Sequence, residues 1–222
     1  MQDGTVLPVQ VDAQGRLVAV GPFLERLDSN RNVLINGNLR INQRGVTIAA
    51  AAVGQYGPDR WKKVNASQMT QIVEDVNFIP GAVYTLSGTG VTTQQLTAPA
   101  SGHWTLPNIP ITATNIQLEL GTVATPFERR SYGQELALCQ RYYEKSAGVI
   151  GGGLMTNTGS SYRQFPYVFK VEKRNTPIIT QTWDAGTFAA QNTTNSSVEV
   201  YSFLGNTTGS AACTSLIASA EL

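Results

Sequence analysis

Thr114-Asn-Ile-Gln-Leu-Glu-Leu-Gly-Thr-Val-Ala-Thr-Pro-Phe-Glu-Arg-Arg-Ser-Tyr-Gly-Gln-Glu-Leu-Ala-Leu-Cys-Gln-Arg-Tyr-Tyr-Glu-Lys145 is the stretch whose reading decides the fold. It opens with alternation of period two: Ile116, Leu118 and Leu120 are apolar, Asn115, Gln117 and Glu119 polar. That pattern predicts a strand with one buried face, Glu119 pointing to solvent. Gly121 and Pro126 interrupt the chain, and the period then changes. Ser131 followed by Gln134 has the spacing of a capping box, while Leu136, Cys139 and Tyr142/Tyr143 recur at helical intervals. A strand that closes a sheet is therefore expected to run into a short helix docked beside it.

Working outward, short apolar runs separated by turn chemistry fill the preceding hundred residues. The breaks fall at Asn36-Gly37, Gly57-Pro58, Pro80-Gly81, Gly88-Thr-Gly90, Ala98-Pro-Ala-Ser-Gly102 and Pro107, a spacing that predicts a sandwich. Beyond the helix, Gly148 to Gly153 reads as a hinge opening a second β-region. There Tyr167, Phe169 and Val171 alternate with Val168, Lys170 and Glu172. Ile178 to Trp183, Val198 to Phe203 and Thr214 to Leu222 follow as strands. The first thirty residues predict a small hairpin, Val6 to Val11 with Arg16 to Val20, and one apolar turn over Phe23 to Leu27. An isolated hairpin is barely stable in water, so this arm needs something to pack on.

The expected organisation is thus all-β: an arm over 1–30, a jelly-roll-like β-sandwich over 31–130, one short linking helix over 131–147, and a second small β-sandwich module over 148–222.

The quoted stretch resembles the end of a jelly-roll module found in bacteriophage tail fibres and related virion appendages. Asn32-Val-Leu-Ile-Asn-Gly-Asn-Leu-Arg-Ile-Asn-Gln-Arg-Gly45 looks like that module's first strand, and Tyr56-Gly-Pro-Asp-Arg-Trp61 like its second landmark. The interval from Trp61 to Ile116 is short for such a module, so trimmed strands are expected. The run Phe169 to Pro177 and the Ala-Glu-Leu ending are similar to the compact module that follows the jelly roll in phage fibres. The resemblance implies a non-enzymatic virion structural protein, a tail fibre or fibre-tip subunit. It would be assembled in the bacterial host cytoplasm, attached to other tail proteins through the arm, and in contact with a host surface glycan or protein. A tail connector or capsid decoration protein, and a glycan-hydrolysing tailspike, are the alternatives.

Composition fits a β-rich body. Charged residues are 14% of the chain, against ~25% in ordinary globular proteins, and Thr, Ser, Asn, Gln and Gly take their place. A net charge of +1 gives no electrostatic footprint for nucleic acid or an anionic membrane. No apolar run reaches the ~18 residues of a membrane span, and no signal peptide is expected. Arg129, Arg130, Arg141 and Lys145 read as a solvated helix face with Glu128, Glu135 and Glu144. Few charges and two small modules with a high surface-to-volume ratio favour association, and the resemblance makes the expected assembly a homotrimer.

Candidate chemistry is sparse. The one histidine, His103, lies in an Ala-Ser-Gly-His-Trp turn without a Gly-x-Ser-x-Gly elbow elsewhere. No zinc or calcium motif occurs. Glu119 and Glu128 are the one carboxylate pair worth weighing for glycan hydrolysis. They read more simply as a strand residue and a partner of the nearby arginines, and no β-helix repeat of a tailspike is present. No catalytic residue, metal ligand or cofactor is expected. Cys139 reads as a core residue, its pairing with Cys213 left open. Aromatics that could stack on sugar rings supply the candidate receptor-binding residues: Trp183, Tyr162, Tyr201 and Trp104. Trp61, inside a landmark, reads as core.

Overall fold

The computed structural model describes residues 31–146, 148, 150–155, 162–184, 187–203 and 209–222, with the two short strands of the arm, β1 (Gln10–Val11) and β2 (Leu17–Val18). These two pair antiparallel, Gln10 with Val18 and Val11 with Leu17. The rest of the arm, Phe23 to Leu27 included, lies outside the described residues. The fold is all-β and sandwich-like, built of several small antiparallel sheets with one α-helix among the described residues.

The first sandwich is made by β3 (Lys62–Lys63), β4 (Gln68–Thr70), β5 (Ile72–Val73), β6 (Val83–Thr89), β7 (Gln94–Thr97), β8 (Trp104–Thr105), β9 (Ile109–Pro110) and β10 (Thr114–Leu120). Strands β4 and β5 pair with β9 and β8 respectively, a bent ribbon broken where Gln71 meets Leu106. Strand β6 lies between β10 and β7. Between the two layers sits one apolar cluster: Trp61, Met69, Val73, Trp104, Leu106 and Ile109 against Tyr84, Leu86, Ile116 and Leu118.

Strand β10 differs from its sequence reading. Ile116 and Leu118 are in the core, but Gln117 and Glu119 on the other face are buried too, at 1% and 3% exposure. The segment after β10 folds back over them. Glu119 accepts from the Thr125 amide (2.7 Å) and hydroxyl (2.6 Å), and Gln117 accepts from the Glu128 amide (2.7 Å). A polar strand face can be buried when every group finds a partner, and here the partners come from residues six to eleven positions on.

The landmark Asn32–Gly45 is not a strand. Asn36 (φ 58°) and Leu39 (φ 59°) are left-handed, which breaks a regular extended run twice within four residues. Side-chain amides replace the missing neighbour strand. Asn32 accepts from the Leu34 and Leu118 amides, and Gln71 both donates to and accepts from the backbone of Ile35. Asn36 donates to the carbonyls of Ile41 and Asp59.

Helix α1 (Tyr132–Gln140) begins as its sequence predicts. The Ser131 hydroxyl accepts from the Gln134 amide, and the Gln134 side chain reaches back to the Ser131 amide. It is shorter than the span over 131–147. Tyr143–Lys145 forms strand β11 instead, because the long last strand pairs with it.

The second sandwich adds β12 (Gly151–Met155), β13 (Tyr162–Val168), β14 (Ile178–Trp183), β15 (Thr187–Gln191), β16 (Ser197–Phe203) and β17 (Gly209–Ser219). The glycines expected as a hinge are partly strand: Gly151 to Gly153 pair with Cys213 to Ala211. β17 is the axis of one sheet, with β11 and β12 along one side and β14 along the other. The second sheet is β13–β16–β15. Phe169, Val198, Val200, Cys213, Leu216 and Ala218 fill the space between them. Pro166, which has no amide to donate, is tolerated on β13 because that strand is an edge.

Gly37 shows how tightly the irregular segment is held. A Cβ there would lie 2.0 Å from the Ile116 carbonyl oxygen. Gly37→Ala should lower unfolding stability by about 2–3 kcal/mol, the upper range for overpacking. Gly81→Ala, left-handed with open space around it, should cost only ~1 kcal/mol. Urea titration of both variants checks the ranking, and equal costs would refute the close-approach account.

Candidate functional site

The three candidate aromatics whose side chains are described, Trp104, Trp183 and Tyr201, do not form one surface. Trp104 is in the first core at 7% exposure, packed edge-on against Phe78 (5.5 Å) and Tyr84 (5.4 Å). Its ring is enclosed, so it offers no platform to a sugar; turn glycines beside it in the sequence do not report which way its strand faces. Trp183, at the end of β14, is half-buried against the second core, its indole N–H donating to Gln181 Oε1 at 2.9 Å. Tyr201 follows the inward Val200 on β16, in the other sheet, and is half-buried. Its hydroxyl donates to Glu199 Oε2 at 3.2 Å. The backbone of Tyr162 is in β13, paired with Phe203; its side chain lies outside the described residues.

The structure instead gathers the charged side chains, and it does so where the two sandwiches meet. Arg60, at 1% exposure, donates to Glu221 Oε2 (2.5 Å) and to the Ile72 carbonyl (2.6 Å), and its guanidinium lies 3.5 Å from the Tyr142 ring centroid. Arg44 donates to Glu221 Oε1 (2.8 Å) and stacks on Tyr143 (3.6 Å). The Tyr56 hydroxyl donates to the Leu222 carbonyl oxygen at 2.7 Å. Thus Tyr56, Asp59 and Arg60 of the second landmark and Arg44 of the first form a slot for residues 221–222. Ile35, Ile41, Cys139 and Tyr142 make the apolar floor, with Leu222 packed on it.

A second set lies on the same junction. Glu74 accepts from Arg174 Nε (2.8 Å) and Arg141 Nη2 (3.1 Å), while the Arg174 amide donates to the Arg141 carbonyl (3.0 Å). A third set holds the helix to the second sandwich. Lys173 and Glu144 are both fully buried, 2.7 Å apart. The Lys173 ammonium has three donors and three acceptors: Glu144 Oε2, the Gln140 carbonyl (2.6 Å) and the Val171 carbonyl (2.8 Å). Glu144 also accepts from the Tyr167 hydroxyl and the Lys170 amide. Glu135 accepts from the Asn36 amide, and Arg130 donates to the carbonyls of Leu34 and Asn32. Of the charges expected on a solvated helix face, Glu135 and Glu144 are interior and Arg130 nearly so, while Arg129 and Lys145 are exposed as expected. Residue type alone pointed outward; only their partners, remote in sequence, explain the burial.

Electrostatics follow the packing. Burial pushes the Tyr56 hydroxyl up to about 12, with Glu221 adding to it. Burial also raises Asp59 despite hydrogen bonds from Gln43 and the nearby Arg44. At Glu74 burial acts upward, but hydrogen bonds from Arg174 and Arg141 outweigh it and hold the carboxyl below its usual value. Burial lowers Lys173 against the opposing pull of Glu144.

Other candidates resolve simply. The carboxylates of Glu119 and Glu128 are engaged with backbone, Glu128 Oε2 accepting from the Asn32 amide at 2.8 Å. Cys139 and Cys213 are buried free thiols. Among the described residues no group of three or more His, Cys, Asp or Glu is placed to hold a metal ion, and no helix is long and apolar enough to cross a membrane.

Two outcomes test this network. Lys173→Met strands a buried carboxylate and should cost about 3–5 kcal/mol. Adding Glu144→Gln removes the stranded charge and should recover part of the loss; a double variant less stable than the single one contradicts this. At the junction, a depressed carboxyl contributes stability above its unfolded value of about 4 and loses it as pH falls through the folded value. The gap in thermal midpoint between the unmodified chain and Glu74→Gln should therefore narrow on acidification from about pH 6 to pH 2.5. A constant gap would remove Glu74 from the account.

No protein-family model matches the chain, and comparisons with curated proteins and with solved structures find no match.

Proposed function

We propose that this chain is a non-enzymatic structural protein of a bacteriophage virion, a tail-fibre or fibre-tip subunit. In this reading the arm over 1–30 joins it to other tail proteins, and loops of the rigid body meet a host-surface glycan or protein. It is assembled in the host cytoplasm, acts as a homotrimer, and gains avidity from several copies bound at once.

One observation carries the reading. The stretches on which the phage-module resemblance rests, Asn32–Gly45, Tyr56–Trp61 and Thr114–Lys145, converge in space, and their polar residues are spent on structure. Asn32, Asn36, Gln43, Asp59, Arg60 and Glu135 bind backbone or one another, and Arg44 and Arg60 bind Glu221. A landmark whose polar groups hold two sandwiches together supports a scaffold that transmits position and force rather than one that turns over a substrate.

Antibody labelling of intact particles should place the chain at the tail tip, and native mass measurement of the full-length protein should give a trimer. Label on the capsid or neck would select the decoration or connector role instead. A stable monomer, with no label on particles, would overturn the proposal.

A further inference from the structure

One corner of the first sandwich is left apolar toward solvent. Strand β10 ends there and β6 begins there: Leu120 pairs with Tyr84, and the Gly121 amide donates to the Val83 carbonyl at 2.9 Å. The turn before β6 adds Ile79, whose carbonyl accepts from the Ala82 amide (3.2 Å) and whose amide donates to the Tyr84 hydroxyl (2.9 Å). Tyr84 is buried in the first core, yet Ile79 and Leu120, both adjoining it, are 56% and 50% exposed, and Val83 is exposed beside them. Exposed apolar side chains scattered singly are ordinary; gathered at one place they mark a contact surface.

The chain enters the sandwich at the same corner. The Ile116 amide donates to the Gly37 carbonyl (2.8 Å) and the Val33 amide to the Leu118 carbonyl (3.0 Å), so residues 37 to 33 run antiparallel to β10. The Leu118 amide also donates to Asn32 Oδ1 at 3.1 Å. Followed toward the N-terminus, this path leads from Leu118 toward Leu120, and it brings Arg31 to the end of β10. Residues upstream therefore set out from the apolar corner. The nearest apolar group among them is Phe23, Leu24 and Leu27, at the spacing of one helical face. Leu27 reaches at most about 14 Å from Arg31 along an extended chain, and Phe23 about 28 Å. A tether this short holds the group at an effective concentration in the millimolar range, ahead of a separate partner.

We propose that this corner is the docking site of the chain's own segment 23–27: Phe23, Leu24 and Leu27 cover Ile79, Val83 and Leu120 and so fix the direction in which the arm leaves the first sandwich. The hairpin of β1 and β2 lies ahead of the docked turn and stays available to another protein. No virion partner is required, so the docking stands or falls apart from the virion reading.

Disulfide trapping in the full-length protein tests this, since Cys139 and Cys213 are buried. Asp28→Cys with Thr122→Cys puts one thiol beside the segment and the other on the exposed loop after β10. Under mild oxidation this pair should close within one chain at least about tenfold faster than Asp28→Cys with Thr93→Cys, at the far end of β6, because burying even one Leu shifts an equilibrium by that much. Tethering alone supplies part of the difference, so the deciding comparison adds Leu24→Asp and Leu27→Asp. These lie outside both cores and should slow closure of the Thr122 pair at least about fivefold, on the same scale, with the circular dichroism unchanged. Leu120→Asp should slow it similarly. An unchanged rate with the arm aspartates overturns the docking. A crosslink between two chains in place of one within a chain gives the corner to a neighbouring copy's arm, and overturns it too.

Discussion

A buried guanidinium organises this molecule. Arg60 sits at the meeting of the two sandwiches with 1% of its surface exposed, and a charge in that position must be answered by partners or the fold fails. Its answers come from three directions: the Glu221 carboxylate after the last strand, the Ile72 carbonyl in the first sheet, and the Tyr142 ring just past the helix. Satisfying one residue therefore fixes the relative placement of a sheet, a helix and the segment after β17. The backbone accepts a left-handed conformation at Arg60, φ 74°, to make this possible, a local cost repaid only by the contacts it allows.

The same logic explains where the charges of a charge-poor chain have gone. Among the described residues Asp59, Arg60, Glu74, Glu119, Glu135, Glu144 and Lys173 are all buried. Buried ion pairs contribute little net stability, because desolvation offsets much of the attraction. They do impose a penalty on every arrangement that leaves one partner alone. Two small sandwiches pressed together through apolar surface would accept many registers. With Glu221 required by Arg44 and Arg60, Glu74 by Arg141 and Arg174, and Lys173 by Glu144, few alternatives remain.

The sequence was most legible where a single local rule acts. Ser131 and Gln134 mark the helix start because a capping box closes within four residues, and Ile178–Trp183 is a strand over the span its punctuation suggests. Val198 and Val200 face inward as period two requires. Legibility stopped where the deciding partner is distant. Asn32–Gly45 has strand-like composition, yet its hydrogen bonds are met by Gln71, Glu135 and Ile116, which no local window contains. Tyr142 and Tyr143 continue a helical spacing, but β17, more than seventy residues on, draws Tyr143 into a sheet. Of the candidate site, the aromatic residues could be named but not oriented, since exposure depends on which layer covers a strand. Trp104 was enclosed by Phe78 and Tyr84, and Trp183 turned toward the second core.

Placement of the lock also bears on how the body would respond to load. A force applied across the two sandwiches meets the junction first. There the strand pairing of β11 with β17, the Ala220–Tyr142 backbone bond and the Arg60–Glu221 pair act in parallel. Parallel contacts must break together, so the junction yields cooperatively, whereas contacts in series would fail one at a time. The part of it open to solvent control is its rim, where Arg141 and His103 are partly exposed and Glu74 is not. A buried centre with a part-exposed rim keeps the Arg60–Glu221 pair where water and salt screen it least.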